Sequence, residues 1–134
     1  MGSYLFMDVD YWRVLEDDGR PLPYAPSLFV SSTVINSHRA KESTIDAGTK
    51  ALPRGWGSPI MHHPVQIGIE YEFSGDEHGR LIYRREANEI LVPGDRVELF
   101  TPHCDPAVNL YTFYHCVRED TLVDIWLIDA RSQR

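Results

Sequence analysis

Val65-Gln66-Ile67-Gly68-Ile69-Glu70-Tyr71-Glu72-Phe73 alternates strictly, with apolar residues at the odd positions and polar residues or glycine at the even ones. Side chains leave a strand to opposite faces in turn, so the pattern predicts a strand with one buried and one wet face. Ser74-Gly75-Asp76-Glu77-His78-Gly79 follows with turn chemistry, and a second strand-like run at 80–84 comes after it. Working outward, residues 4–9, 28–35, 43–47, 96–100, 112–118 and 121–128 are equally short and rich in β-branched and aromatic residues. Trp126 lies in an apolar run and is expected in the core. Turns are expected at Asp17-Asp18-Gly19-Arg20-Pro21, at Pro93-Gly94-Asp95 and, as a tight hairpin, at Glu119-Asp120. Many short strands and nine prolines with nine glycines predict an all-β barrel or sandwich. Helix is expected only as one or two short turns, one of them near 105–111. Residues 12–26 and 51–64 are read as long loops, the second a candidate lid or partner surface carrying Trp56.

The 134 residues fit one domain, 1–134, and a 43% hydrophobic share is enough for an ordinary core. The net charge of −7 gives no basic footprint for nucleic acid and argues against anionic membrane. No run approaches the roughly 20 apolar residues of a membrane helix, and the start lacks the basic and apolar regions of a secretory signal. Cys104 and Cys116 are the only cysteines, so a reducing cytoplasm is the expected compartment; a disulfide between them is the less favoured alternative.

The chemistry concentrates in Phe100-Thr101-Pro102-His103-Cys104-Asp105-Pro106. A strand is expected to end at Phe100, and Pro102 and Pro106 stiffen the loop after it. His103 and Asp105 are two apart, so in an extended segment they leave on the same side. One imidazole and one carboxylate suit a divalent ion whose shell is completed by water or substrate, an open site of catalytic type. The plainer reading has Asp105 capping the following turn and His103 exposed, and spacing alone leaves both readings open.

The wider stretch carries more. Pro93-Gly94-Asp95-Arg96-Val97-Glu98-Leu99, then Pro102-His103-Cys104-Asp105-Pro106, then Val108-Asn109-Leu110-Tyr111 resembles the C-terminal signature of the D-threonine aldolase and D-serine dehydratase-like family. Gly2-Ser3-Tyr4-Leu5-Phe6-Met7-Asp8 is similar to the strand that opens that family's C-terminal domain. Ile45-Asp46-Ala47-Gly48-Thr49-Lys50-Ala51-Leu52, Glu77-His78-Gly79-Arg80-Leu81, and Val123-Asp124-Ile125-Trp126 with Ala130-Arg131 match further motifs in the same order.

The resemblance implies an alanine-racemase-type pyridoxal-phosphate enzyme acting on β-hydroxy D-amino acids. Its N-terminal (β/α)8 barrel carries the cofactor on a Schiff-base lysine. Its barrel-like C-terminal β-domain supplies a divalent metal site beside the cofactor. Carried over, the metal ligands are His103 and Asp105. The dehydratases place Cys at the second position; Asp105 follows the aldolase type and favours manganese or magnesium over zinc. Cys104 is expected to point away.

The family's cofactor barrel is missing from these 134 residues. Lys41 and Lys50 are the only lysines, and neither matches the Schiff-base lysine, which therefore lies outside this chain. No catalytic residue is assigned within it, and pyridoxal phosphate belongs to the full-length enzyme only. The expected partners are the N-terminal barrel domain, on the same or a partner chain, and a second copy in a homodimer; the isolated chain is expected to be inactive. Residues 51–64 and Thr112 fit the family pattern less well. His62-His63 and Glu77-His78 are read as solvated loop residues before ligands or an acid/base pair. Asp46 and Lys50 are read as a surface ion pair. The rival reading is a stand-alone β-domain that binds a small molecule or a partner without catalysis.

Overall fold

The computed structural model describes residues 2–14, 19–37, 41–65, 67–87, 89–129 and 131. The expected turn at 17–21 therefore begins outside the described residues. Six strands, β1 (Phe29–Asn36), β2 (Glu42–Ile45), β3 (Ile60–His63), β4 (Ile69–Phe73), β5 (Gly79–Tyr83) and β6 (Arg96–Phe100), form one sheet in the order β3-β6-β1-β2-β5-β4. Every pairing in it is antiparallel. The end strands β3 and β4 also lie against each other, so the sheet curls into a nearly closed, barrel-like wall. A separate two-stranded ribbon pairs β7 (Phe113–Arg118) with β8 (Thr121–Leu127). Helix among the described residues amounts to a 3₁₀ turn at Ser3–Leu5, α1 (Val9–Trp12) and α2 (Cys104–Val108). The all-β, barrel-like expectation holds, as does the short helix after Pro102.

Alternation builds the interior. Val30 and Val34 of β1, Ile45 of β2, Tyr71 of β4, Leu81 and Tyr83 of β5, and Val97 and Leu99 of β6 all point inward, sealed by Leu52 and Leu91 from loops. The buried hydroxyls of the barrel interior are paired, as burial demands. The Tyr83 hydroxyl donates to Ser43 Oγ at 3.0 Å and accepts from the Leu91 N–H at 3.0 Å, while Ser43 Oγ donates to the Leu91 carbonyl at 2.9 Å. The Tyr71 hydroxyl donates to the Ala47 carbonyl at 2.8 Å. A Cβ at Gly79 would stand 2.3 Å from the Tyr71 ring, so only glycine lets that ring reach Ala47.

The same packing explains two of the sequence motifs. The Thr49 and Lys50 N–H groups donate to the carbonyls of Gly75 and Asp76, and a Cβ at Gly48 would meet backbone at 2.5 Å. Residues 46–52 and 75–79 are thus one interlocked corner. Lys50 pairs with Glu77 rather than with Asp46, whose Oδ1 instead accepts from Ser32 Oγ at 2.6 Å and Thr33 N–H at 2.7 Å.

Four further expectations need correction. Residues 4–9 are not a strand: the Asp8 side chain caps α1 through the Tyr11 N–H at 2.9 Å, and Met7 adopts a positive φ. The alternating run that begins at Val65 enters the sheet only at Ile69, because Gly68 turns the chain at φ +80° and leaves Val65 and Ile67 exposed. Residues 51–64 contain a strand, β3, which pairs with β6. Trp126 is 59% exposed, because no second layer covers the β7–β8 ribbon among the described residues; its Nε1 donates to Asp124 Oδ2 at 2.7 Å. The hairpin at Glu119-Asp120 forms as expected, with both residues at positive φ, the twist that two-residue hairpins prefer.

Candidate metal centre

Strand β6 ends at Phe100, and the chain leaves the barrel through Thr101 and Pro102, both buried. His103 is the extended N-cap of α2, at φ −148° and ψ 132°, and Asp105 stands in the first turn of that helix. The pair therefore meets across a cap-to-helix turn, not along an extended segment. His103 Nε2 and Asp105 Oδ2 are 3.9 Å apart, with the His103 side chain 17% and the Asp105 side chain 77% exposed. The N-cap residue His103 makes no side-chain cap hydrogen bond to the helix, and it is not a free surface side chain.

His103 is held on two sides. Its Nδ1 lies 3.0 Å from Asp8 Oδ2, and Asp8 is wholly buried. The Cys104 N–H donates to the same oxygen at 3.1 Å. The Trp56 ring stacks on the imidazole at a centroid distance of 4.6 Å and 26° between planes. The N-terminal segment is further tied to this loop by the Val9 N–H, which donates to the Thr101 carbonyl at 3.1 Å. Neither Asp8 nor Trp56 was legible as a neighbour of His103. Asp8 is 95 residues away in the chain, and an acid inside the otherwise apolar run 4–9 is the one sequence signal that could have singled it out.

Cys104 turns inward as expected. Its thiol donates to the Met7 carbonyl at 3.1 Å, and both cysteines are free. Burial, then the charges of Asp8 and Asp105, push the thiol up to about 12 in the metal-free chain, and its contact with the Met7 carbonyl turns it into the interior. His62 stacks on Phe29 with centroids 4.1 Å apart, while Glu77 and His78 face solvent. Among the described residues no third His, Cys, Asp or Glu joins His103 and Asp105 in a metal-binding cluster. The donor set still fits a divalent ion with an open shell. Two atoms 3.9 Å apart could both reach an ion at about 2.0–2.2 Å, and the Asp105 carboxylate is exposed.

A nearly closed antiparallel barrel delivers a His–Asp pair on the loop that leaves its strand β6. Residues 27–117 match the family model described as "Putative serine dehydratase domain", and the chain belongs to that family. It is 38% identical to D-threonine aldolase from Arthrobacter sp. over 98% of this chain and 33% of that protein. It is 29% identical to 3-hydroxy-D-aspartate aldolase from Paracoccus denitrificans over 98% of this chain and 34% of that protein. The crystal structure of D-threonine aldolase from Filomicrobium marinum superposes with a TM-score of 0.86 at 32% identity, over 97% of this chain and 35% of that one. The chain thus spans about a third of the length of the relatives it matches.

Proposed function

We propose that this chain is the metal-bearing C-terminal β-domain of a pyridoxal-phosphate-dependent lyase that cleaves β-hydroxy D-amino acids. The observation that carries the reading is the His103–Asp105 pair at 3.9 Å, held in a chain that belongs to the serine dehydratase-type family. The aldolase type is favoured over the dehydratase type by Asp105 at the second ligand position and by the two aldolases among its relatives.

His103 Nε2 and Asp105 Oδ2 would hold the ion, and the carboxylate oxygen favours manganese or magnesium over zinc. A divalent ion there supplies Lewis acidity toward a substrate hydroxyl, and pyridoxal phosphate on a lysine outside this chain supplies an electron sink. Asp8 and Trp56 fix the imidazole plane. Asp105, on the open side, leaves room for the substrate's β-oxygen.

The partner is an N-terminal (β/α)8 domain, and a homodimer completes the enzyme. The ribbon supports this reading. Ile125 and Leu127 share one face of β8, Phe113 stands opposite Leu127, and all three are exposed. An apolar face of this kind marks an interaction surface. No described helix is long and apolar enough to cross a membrane, and free cysteines fit a reducing cytoplasm.

The test is a graft. This chain replaces the C-terminal third of the Arthrobacter D-threonine aldolase, and cofactor absorbance confirms that the barrel is loaded. Mn²⁺-dependent cleavage of D-threonine by the graft, lost in Asp105→Ala, supports the reading. Cleavage by this chain alone, or cofactor trapped by borohydride on Lys50, overturns it.

A further inference from the structure

We infer that Asp8 is a positioning residue for the metal site: its carboxylate holds the Nδ1–H of His103 and so turns the Nε2 lone pair toward Asp105. The inference rests on the metal reading above and adds to it a residue from the other end of the chain.

Donor and acceptor supply around Asp8 decides the tautomer of His103. Asp8 Oδ1 accepts from the Tyr11 N–H at 2.9 Å. Oδ2 accepts from the Cys104 N–H at 3.1 Å and lies 3.0 Å from His103 Nδ1. A backbone N–H can only donate, so both oxygens already act as acceptors, and the contact with His103 is satisfied when the imidazole donates too. A neutral imidazole has one N–H; placing it on Nδ1 leaves Nε2 as the lone pair. The opposite tautomer would set two lone pairs against each other at 3.0 Å beside a wholly buried carboxylate and would cover the ligand nitrogen with a proton. Nε2 in turn faces Asp105 Oδ2 at 3.9 Å, too far for a hydrogen bond and near enough to share an ion.

Capping α1 needs only Oδ1. Oδ2 serves the loop that carries the site, through two groups of that loop, Cys104 N–H and His103 Nδ1. A carboxylate behind a ligating imidazole fixes its tautomer and orientation and raises its basicity. The Trp56 ring prevents the imidazole from tipping out of that line.

The experiment uses the folded 134-residue chain. Long-range proton–nitrogen NMR at mildly alkaline pH reads which imidazole nitrogen of His103 carries the proton, with His103→Gln giving the assignment. Mn²⁺ binding is read from paramagnetic broadening of the Cys104 and Asp105 amide signals. The wild type is expected to carry the proton on Nδ1, a reading that needs no variant. Asp8→Asn keeps the shape but cannot accept on both sides; it should move the proton to Nε2 and weaken Mn²⁺ binding about 10- to 100-fold, with circular dichroism confirming the fold. A wild-type proton on Nε2 overturns the inference. So does Asp8→Asn with unchanged Mn²⁺ affinity, which leaves the metal reading standing, or with weaker affinity but an unchanged tautomer. A wild type with Nδ1–H and no broadening at millimolar Mn²⁺ overturns the metal reading itself, and the role of Asp8 toward an ion falls with it.

Discussion

The indole of Trp56 lies over the imidazole of His103, with ring centroids 4.6 Å apart and planes 26° from parallel. Trp56 comes from the loop before β3 and is itself half exposed, so the stack roofs His103 without closing the site. Paramagnetic Mn²⁺ bound at His103 would stand close to the indole. Adding Mn²⁺ should therefore quench the fluorescence of Trp56, and Mg²⁺, which is diamagnetic, should not. In Trp56→Phe the quenching should disappear while the stacked ring is kept. Equal quenching in His103→Ala and the wild type would show that the ion sits elsewhere.

The Asp105 side chain is 77% exposed. Asp105→Ala should shift the stability of the chain by no more than about 0.5 kcal/mol, the range of ordinary surface changes. It should also abolish the Mn²⁺ response, since His103 alone is one ligand. Asp105→Cys should move metal preference toward zinc, whose affinity for thiolate exceeds that of manganese. Thermal unfolding and competition between the two ions measure both effects. An unchanged preference in the cysteine variant would remove Asp105 from the ligand set.

Much of the barrel was legible, because strands with one face inside announce themselves by alternation: β2, β5 and β6 fall within a residue or two of the expected runs. Strand β3 was hidden because it has only four residues, lies between Pro59 and Pro64, and gains its order from pairing with β6. Residues 4–9 have strand-like composition, yet contacts to Thr101, His103 and Cys104 decide their path, and no local pattern records those. Trp126 was misplaced because burial of an apolar run depends on a layer above it, which the run does not encode. His103 and Asp105 were singled out by motif. Their proximity comes from a helix cap, and the carboxylate behind His103 comes from the opposite end of the chain.

The apolar face of the ribbon offers a second, independent check on the assignment. Val123 and Ile125 are both half exposed on β8. Val123→Lys with Ile125→Glu should leave the unfolding midpoint of the isolated chain nearly unchanged and reduce its binding of a hydrophobic dye and its self-association in sedimentation. In the grafted enzyme the same pair should loosen the seating of the β-domain on the barrel and lower activity. A large drop in the stability of the isolated chain would mean that the face is covered by the chain itself.

Alkali should destabilise this fold in two steps, and the sign follows from two buried groups and one partly buried one. The Cys104 thiol is raised from 9.0 to about 12, by burial first and then by the charges of Asp8 and Asp105. The Tyr111 hydroxyl is raised from 10.0 to about 12, by burial first and then by Asp46. Burial holds the Tyr71 hydroxyl well above its ordinary 10.0. In each case the folded chain keeps a proton that the unfolded chain has lost, so unfolding releases protons and stability falls as pH rises. The contribution is complete below about pH 9, begins to fall there as unfolded Cys104 ionises, and falls more steeply from about pH 10, where unfolded tyrosines ionise. Urea midpoints measured between about pH 7 and pH 11 should trace that decline. Cys104→Ala should remove the step that starts near pH 9 and keep the one near pH 10. A midpoint flat from pH 7 to pH 11 in the wild type would show that these groups are not held protonated by the fold.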